Sequence, residues 1–110
     1  MDFAKDSAPD VVEPFVALVV YPTQKDAQQR QAENLARIAS EKVSALPGFL
    51  TSRVFLSEDG ESLVSLTEWS DRDSFVQFRQ SEFGQAAIRL AAELHPRAYW
   101  LRQHARIDAP

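Results

Sequence analysis

Few side chains of this 110-residue sequence have the chemistry of a catalyst. There is no cysteine, which excludes a thiolate nucleophile, a disulfide and a Cys-ligated zinc site. The two histidines are His95 and His104, and histidine titrates near neutral pH. We interpret His104 as a candidate general base in a predicted last strand, on the same face as Trp100 and Arg102, with a surface or interface role as the alternative. No paired acid accompanies either histidine, so the sequence predicts no metal site.

Arginines form the second group of candidates, because guanidinium groups bind anions through paired hydrogen bonds. Arg89, on a predicted long helix, is the first choice for an anion clamp. Three further candidates lie in predicted strands: Arg53, Arg102 and Arg106. For all four the alternative is a solvated face or a subunit seam. The sequence contains no phosphate-binding loop, dinucleotide fingerprint, nucleophile elbow or HExxH motif.

Length, composition and charge limit the class of protein. A chain of 110 residues, 45% hydrophobic and 25% charged, is typical of one globular domain. The net charge of −4 argues against a nucleic-acid or anionic-membrane partner, since both require a basic face. The longest apolar run, Phe15 to Tyr21, is too short to span a bilayer, and the acidic first residues do not resemble a secretory signal. We therefore expect a cytoplasmic protein with a flexible arm over residues 1–12 and a single domain over residues 13–108.

The first half of the domain reads as a strand followed by a long helix. The apolar, β-branched run over residues 15–21 predicts a strand that is buried on both faces. Thr23, with Asp26 three residues later, has the pattern of a capping box and predicts the start of a helix. Apolar residues then recur at helical spacing up to Leu46, about six turns in all, and Pro47-Gly48 ends the helix.

A hairpin and a second helical region follow. Residues 49–56 and 62–69 are predicted strands joined by the strong turn signal Asp59-Gly60. Ser70 is a predicted helix cap, and Ser81 is predicted to cap a second helical piece in a shifted phase.

The second helical region is expected to end at His95-Pro96, and residues 98–107 form a predicted final strand. The order β-α-β-β-α-β predicts an α+β, ferredoxin-like domain, in which two helices cover one face of a four-stranded antiparallel sheet. The other face would be apolar through Val64, Leu66 and alternate residues of the first and last strands. Because a monomer should not expose such a patch, we expect a homodimer in which two sheets form one barrel-like core.

The segment LPGFLTSRVFLSEDGESLVSLTEWSDRDSFVQF resembles the antibiotic biosynthesis monooxygenase (ABM) family of dimeric α+β barrels. Members show a helix, then Pro-Gly-Phe, a hairpin, and a Trp just before the second helix. Here these features are Pro47-Gly48-Phe49, the Asp59-Gly60 turn and Trp69. The resemblance extends over residues 14–107.

This resemblance implies an enzyme that oxidises a phenolic ring to a quinone with dioxygen, using no metal, flavin or other cofactor. The implied ligand is a small aromatic molecule held between the sheet and the helices of each subunit. Trp69 matches the family's Trp and would stack on the substrate. Ser65 stands at the position of the family's Asn and would form a hydrogen bond to an oxygen of the substrate. Phe75 stands where the family has an aromatic residue with a hydroxyl group and, with Phe78, would form an apolar wall of the site.

Two other functions stay open at this point. The loss of the Asn and the aromatic hydroxyl also suits a non-catalytic dimeric barrel that binds a small aromatic ligand. A polyketide cyclase or isomerase is the third hypothesis, with His104 or Arg89 handling protons. Haem-degrading members resemble this chain less, since they have an Asn on the first strand and an axial His on the second helix. Here the first strand has no Asn, and the second helix has Arg79 near the place of that His.

Overall fold

The computed structural model describes residues 13–110, with Leu90 described by its backbone only. The predicted arm, residues 1–12, lies outside the described residues. The elements are, in chain order, β1 (Phe15–Pro22), α1 (Gln28–Ile38) with a π-helical continuation (Ala39–Val43), β2 (Phe49–Leu56), β3 (Ser62–Trp69), α2 (Arg72–Gln80), α3 (Glu82–Ala92) and β4 (Arg97–Arg102).

The four strands form one antiparallel sheet in the order β2-β3-β1-β4. This order, with helices after β1 and β3, confirms the predicted α+β ferredoxin-like fold. The register places Val19 opposite Ser65 and Ala17 opposite both Thr67 and Trp100. Because side chains alternate along a strand, these residues share one face, which we call the inner face. The helices cover the inner face and bury Trp69, which ends β3 on that side.

Thr23 does not begin the first helix, so that prediction was wrong. The helix starts at Gln28, after the N-cap residue Ala27, which makes no side-chain cap bond. The Thr23 hydroxyl instead donates to the Gly60 carbonyl at 3.1 Å, and its backbone N–H donates to the Glu61 carbonyl at 2.8 Å. A contact with the hairpin turn, distant in sequence, therefore replaces the local capping box.

The caps of the second helical region are partly as predicted. Ser81 caps α3 by accepting a hydrogen bond from the Gly84 N–H at 3.0 Å, which confirms its predicted role. Asp71, not Ser70, caps α2 by accepting from the Ser74 N–H at 2.8 Å. The Ser70 N–H donates instead to the Gly48 carbonyl at 2.7 Å, which joins the corner before β2 to the end of β3.

The outer face of the sheet is apolar and is not covered by a helix. Leu66 and Val64 are half-buried there, while Phe55, Tyr99 and Leu101 are exposed by 47%, 46% and 40%. An exposed patch of this kind typically marks an interaction surface. The structure holds a single chain, so the homodimer stays a prediction. Within the described residues, no helix has the length and apolar character needed to cross a membrane.

Candidate functional site

A cavity of about 180 Å³ lies between the inner face and the helices. Its floor comes from β1, β2 and β3, and its walls come from all three helices, the π-helical turn and Trp100 of β4. The lining is mostly apolar, as is typical of small-molecule sites. An engineered apolar cavity of about 150 Å³ accepts benzene, so this one has room for an aromatic ring.

Trp69 forms one wall of the cavity and is only 1% exposed. Its indole stacks on Phe78, with ring centres 5.3 Å apart and planes inclined by 25°, and meets Phe49 edge-on at 5.7 Å. Its position at the end of β3, just before α2, lets one residue contact both layers. Among the described residues, the buried Trp69 Nε1 has no hydrogen-bond partner. Leaving such a donor unpaired costs about 1–3 kcal/mol.

Polar groups on the floor are few, and most are hydroxyls. Ser65 and Thr67 lie on β3, and Ser52 lies on the neighbouring β2 opposite Thr67. Ser65 shares the inner face with Trp69, four residues further along the same strand, so both side chains line the cavity. Tyr21 adds a phenol at the β1 end, and burial raises its pKa above the ordinary value. These groups can form hydrogen bonds but hold no charge at neutral pH.

Phe75 and Phe78 lie on α2 and complete the aromatic wall. Phe75 is buried and contacts Phe15 at 5.1 Å between ring centres and Trp100 at 4.9 Å. The predicted grouping of Ser65, Trp69, Phe75 and Phe78 around one hollow is therefore present, whereas their roles toward a substrate stay predictions.

Arg79 is a lining residue that the sequence reasoning did not select. Its guanidinium carbon lies 5.0 Å from the centre of the Trp100 ring and 6.0 Å from that of Phe75. Of the described residues that line the cavity, it alone carries a charge. Its position four residues after Phe75 places both side chains on one side of α2, a signal that the sequence contains.

Two predicted catalytic residues do not line the cavity. The predicted last strand was too long: β4 ends at Arg102, so His104 lies beyond it and is exposed. It therefore does not share a strand face with Trp100. Arg89 is exposed on α3. The cavity thus gives no support to proton transfer by either residue.

Of the remaining candidate arginines, Arg53 and Arg106 form ion pairs away from the cavity. Arg53 pairs with Glu68 at 3.7 Å on the outer face, where Thr51 also donates to that carboxylate. Arg106 pairs with Asp108 at 3.1 Å. No group of three or more potential ligands among the described residues could hold a metal ion.

The fold and the cavity define a ferredoxin-like α+β domain with an apolar cavity between its sheet and its helices. The chain belongs to the antibiotic biosynthesis monooxygenase family, whose model matches residues 14–90. Among curated proteins, no sequence matches this one. The same fold occurs in several solved structures.

A monooxygenase from the gene ActVA-Orf6 of Streptomyces coelicolor, solved with the ligand nanaomycin D, is 24% identical, with a TM-score of 0.65 over 93% of this chain and 97% of that one. SnoaB, a cofactor-independent oxygenase from Streptomyces nogalater, is 19% identical, with a TM-score of 0.67 over 91% and 99%. A protein of unknown function from Nitrosomonas europaea is 16% identical, with a TM-score of 0.66 over 90% and 98%. At these identities the likeness concerns the fold alone.

Proposed function

We propose that this chain is a cofactor-independent monooxygenase that oxidises a phenolic aromatic metabolite to a quinone. The observation that carries the proposal is the apolar cavity of about 180 Å³ beside Trp69, in a chain that belongs to this family. The site suits a planar aromatic guest, because indole and phenyl rings flank it and hydroxyl groups lie on its floor.

The reaction balances with dioxygen as the only oxidant. A ring carbon para to the phenolic oxygen loses its hydrogen and gains one oxygen atom, the phenol loses its proton, and the second oxygen atom leaves as water. The substrate supplies all four electrons, so neither a metal nor a flavin is required. Ionisation of the phenol makes the ring electron-rich enough to react with dioxygen. In the described part of the cavity lining, no carboxylate or imidazole stands ready as a base, which favours an acidic phenol that enters as its anion.

The residues of the cavity have separate roles in this proposal. Trp69 stacks on the ring, and its Nε1–H donates to an oxygen of the substrate or of the peroxy intermediate. Ser65 donates a second hydrogen bond to that oxygen. One such donor is worth about 3 kcal/mol in the transition state. Phe75 and Phe78 exclude water from the reacting carbon.

A second copy of this chain is the proposed partner. The apolar outer face, with Phe55, Tyr99 and Leu101 exposed, suits a two-fold contact between two sheets. Such a dimer would leave the cavities untouched, because they lie on the opposite face.

A non-catalytic aromatic-binding barrel is the second candidate, and Phe75 is the observation that favours it. The side chain is buried against the cavity and has no proton to donate where the family resemblance implies an aromatic hydroxyl. Such a protein would hold an aromatic ligand without oxidising it.

Oxygen uptake and ligand binding, measured on the same samples, separate the two candidates. A panel of naphthols and anthrones is added in air while dissolved oxygen is followed, and binding is measured by quenching of tryptophan fluorescence. The monooxygenase requires enzyme-dependent uptake with at least one phenol that binds. Binding without oxygen uptake across the whole panel would support the non-catalytic aromatic-binding barrel and contradict the monooxygenase. Absence of both would contradict the two candidates together.

A further inference from the structure

We propose that Arg79 makes the cavity selective for aromatic substrates that carry an anionic oxygen. The inference rests on the proposed function, since it names the substrate class for the same site. It begins from an imbalance in the lining, where one cationic side chain faces aromatic rings and hydroxyl groups.

The guanidinium of Arg79 lies against two aromatic rings. Its carbon lies 5.0 Å from the centre of the Trp100 ring and 6.0 Å from that of Phe75, distances at which cation–π attraction operates. The two rings meet edge to face at 4.9 Å, so they form a platform that belongs to β4 and α2 together. A planar guanidinium held on such a platform keeps its edge available for hydrogen bonding.

The hydrogen-bonding capacity of Arg79 is unused within the described residues. Its guanidinium makes no ion pair and no hydrogen bond with any of them, although it has five N–H donors. Arg37, Arg53 and Arg106 each pair with a carboxylate, whereas Arg79, the one charged side chain among the described residues that line the cavity, does not. The side chain of Arg79 is half-buried, so a ligand oxygen beside it would be only partly screened by water.

The depth of Arg79 in the cavity indicates where the anionic group would lie. Trp100, Ile88 and Ile38 line the cavity and are exposed by 43%, 39% and 36%, whereas Trp69 is fully buried. Arg79 stacks on Trp100 and therefore lies toward the exposed end. An aromatic ring beside Trp69 would then direct a carboxylate or phenolate oxygen to Arg79, while the reacting carbon stays in the apolar part.

The test compares the binding of matched ligands by tryptophan fluorescence. The probes are 1-hydroxy-2-naphthoate, its methyl ester, and 2,4-dinitro-1-naphthol with its methyl ether. The first pair reports on a carboxylate and the second on a phenolate, which is ionised at neutral pH. The variants are Arg79→Gln and Arg79→Lys. Arg72→Gln is the control, because it removes the same charge from an exposed position on the same helix.

We expect the natural chain to bind at least one anion about tenfold or more tightly than its neutral partner, as a charge-assisted hydrogen bond provides. Arg79→Gln should bring that ratio close to one while binding of the neutral partner is kept, Arg79→Lys should retain part of it, and Arg72→Gln should leave it unchanged. Circular dichroism checks that each variant is folded. If Arg79→Gln does not fold, the anion-to-neutral binding ratio of Arg79→Lys is compared with that of the natural chain, and an unchanged ratio would overturn the inference.

The outcomes distinguish this inference from the proposed function. A preference that depends on Arg79 without oxygen uptake would support the inference and contradict the monooxygenase. Oxygen uptake with equal binding of anion and neutral partner would support the monooxygenase and overturn the inference. A ratio that Arg79→Gln leaves unchanged, or a failure to bind any of the four probes, would also overturn it.

Discussion

The indole of Trp69 stacks on the ring of Phe78, with 5.3 Å between the ring centres and 25° between their planes. This contact joins the last residue of β3 to the C-terminal part of α2, so one wall of the cavity is formed by the sheet and a helix together. An offset aromatic pair of this kind adds about 0.5–1.5 kcal/mol beyond area burial.

The first prediction concerns the Trp69 N–H. Trp69→Phe keeps an aromatic wall but removes the donor, so we expect the rate of phenol oxidation to fall about 100-fold, as for other oxyanion donors. Binding of the same phenol should weaken much less. Oxygen uptake and fluorescence quenching of Trp100 measure the two effects. An unchanged oxidation rate would show that the Trp69 N–H does not take part in the reaction.

The second prediction concerns Ser65. Ser65→Ala removes one donor from the cavity floor and should lower the oxidation rate about 10-fold or more, with stability close to that of the natural chain. Thr67→Val is the matched control on the same strand face, since it removes a hydroxyl that the proposal does not use. Equal losses in both variants would indicate a general effect of floor polarity instead of a role for Ser65.

The third prediction concerns the outer face. Leu66→Glu places a charge in the middle of the apolar patch and should convert a dimer into a monomer of about 12.4 kDa. Gln29→Glu adds the same charge on an exposed helical surface and should leave the mass unchanged. Sedimentation at micromolar concentration measures both. A natural chain that sediments as a monomer would contradict the predicted dimer.

The fourth prediction concerns the acid stability of α2. The backbone N–H of Ser74, then its hydroxyl, lowers the pKa of Asp71 below its ordinary value of 3.8. A carboxylate with a lowered pKa stabilises the folded state above pH 3.8, and this contribution is lost as the pH falls through the lower, folded-state pKa. Asp71→Asn keeps a capping oxygen without the titration, so its melting temperature should change less between about pH 4 and pH 2. Identical acid profiles for the two proteins would contradict this.

The fifth prediction concerns Gly84 near the start of α3. A Cβ at this position would lie 1.9 Å from the Phe78 carbonyl oxygen, which belongs to the preceding helix and cannot move as a side chain can. Gly84→Ala should therefore destabilise the fold by about 1–3 kcal/mol, the range for overpacking. Arg89→Ala, at an exposed position of the same helix, is the control for the helical change itself. Urea unfolding measures both; equal midpoints would show that the joint between α2 and α3 relaxes freely.

The sequence predicts the fold well wherever local signals agree with the tertiary structure. The alternation along residues 62–69 correctly places Ser65 and Trp69 on one face, and Ser81 caps a helix as its spacing indicates. Thr23 fails as a predicted cap because the hairpin, about 37 residues away in sequence, offers its hydroxyl a different partner. Long-range contacts of this kind leave no local pattern to read.

In the candidate site, too, the features set by local periodicity are predictable from the sequence, and those set by long-range contacts are not. The aromatic wall follows from strand and helix periodicity, whereas the stacking of Arg79 on Trp100 depends on β4 lying beside β1 and under α2. The predicted position of His104 in the last strand was wrong, because β4 ends at Arg102, five residues before the predicted end at Ile107. Single side chains near strand ends are therefore the part of the site that the sequence predicts least well.

Oxidation of an acidic naphthol under heavy-isotope dioxygen, followed by mass spectrometry of the product, is the decisive test of the proposed monooxygenase. One labelled oxygen atom is expected in the quinone and the other in water, at a rate proportional to protein concentration and strongly reduced in Trp69→Phe. A naphthol that binds beside Trp69 and is recovered unlabelled and unoxidised would contradict it.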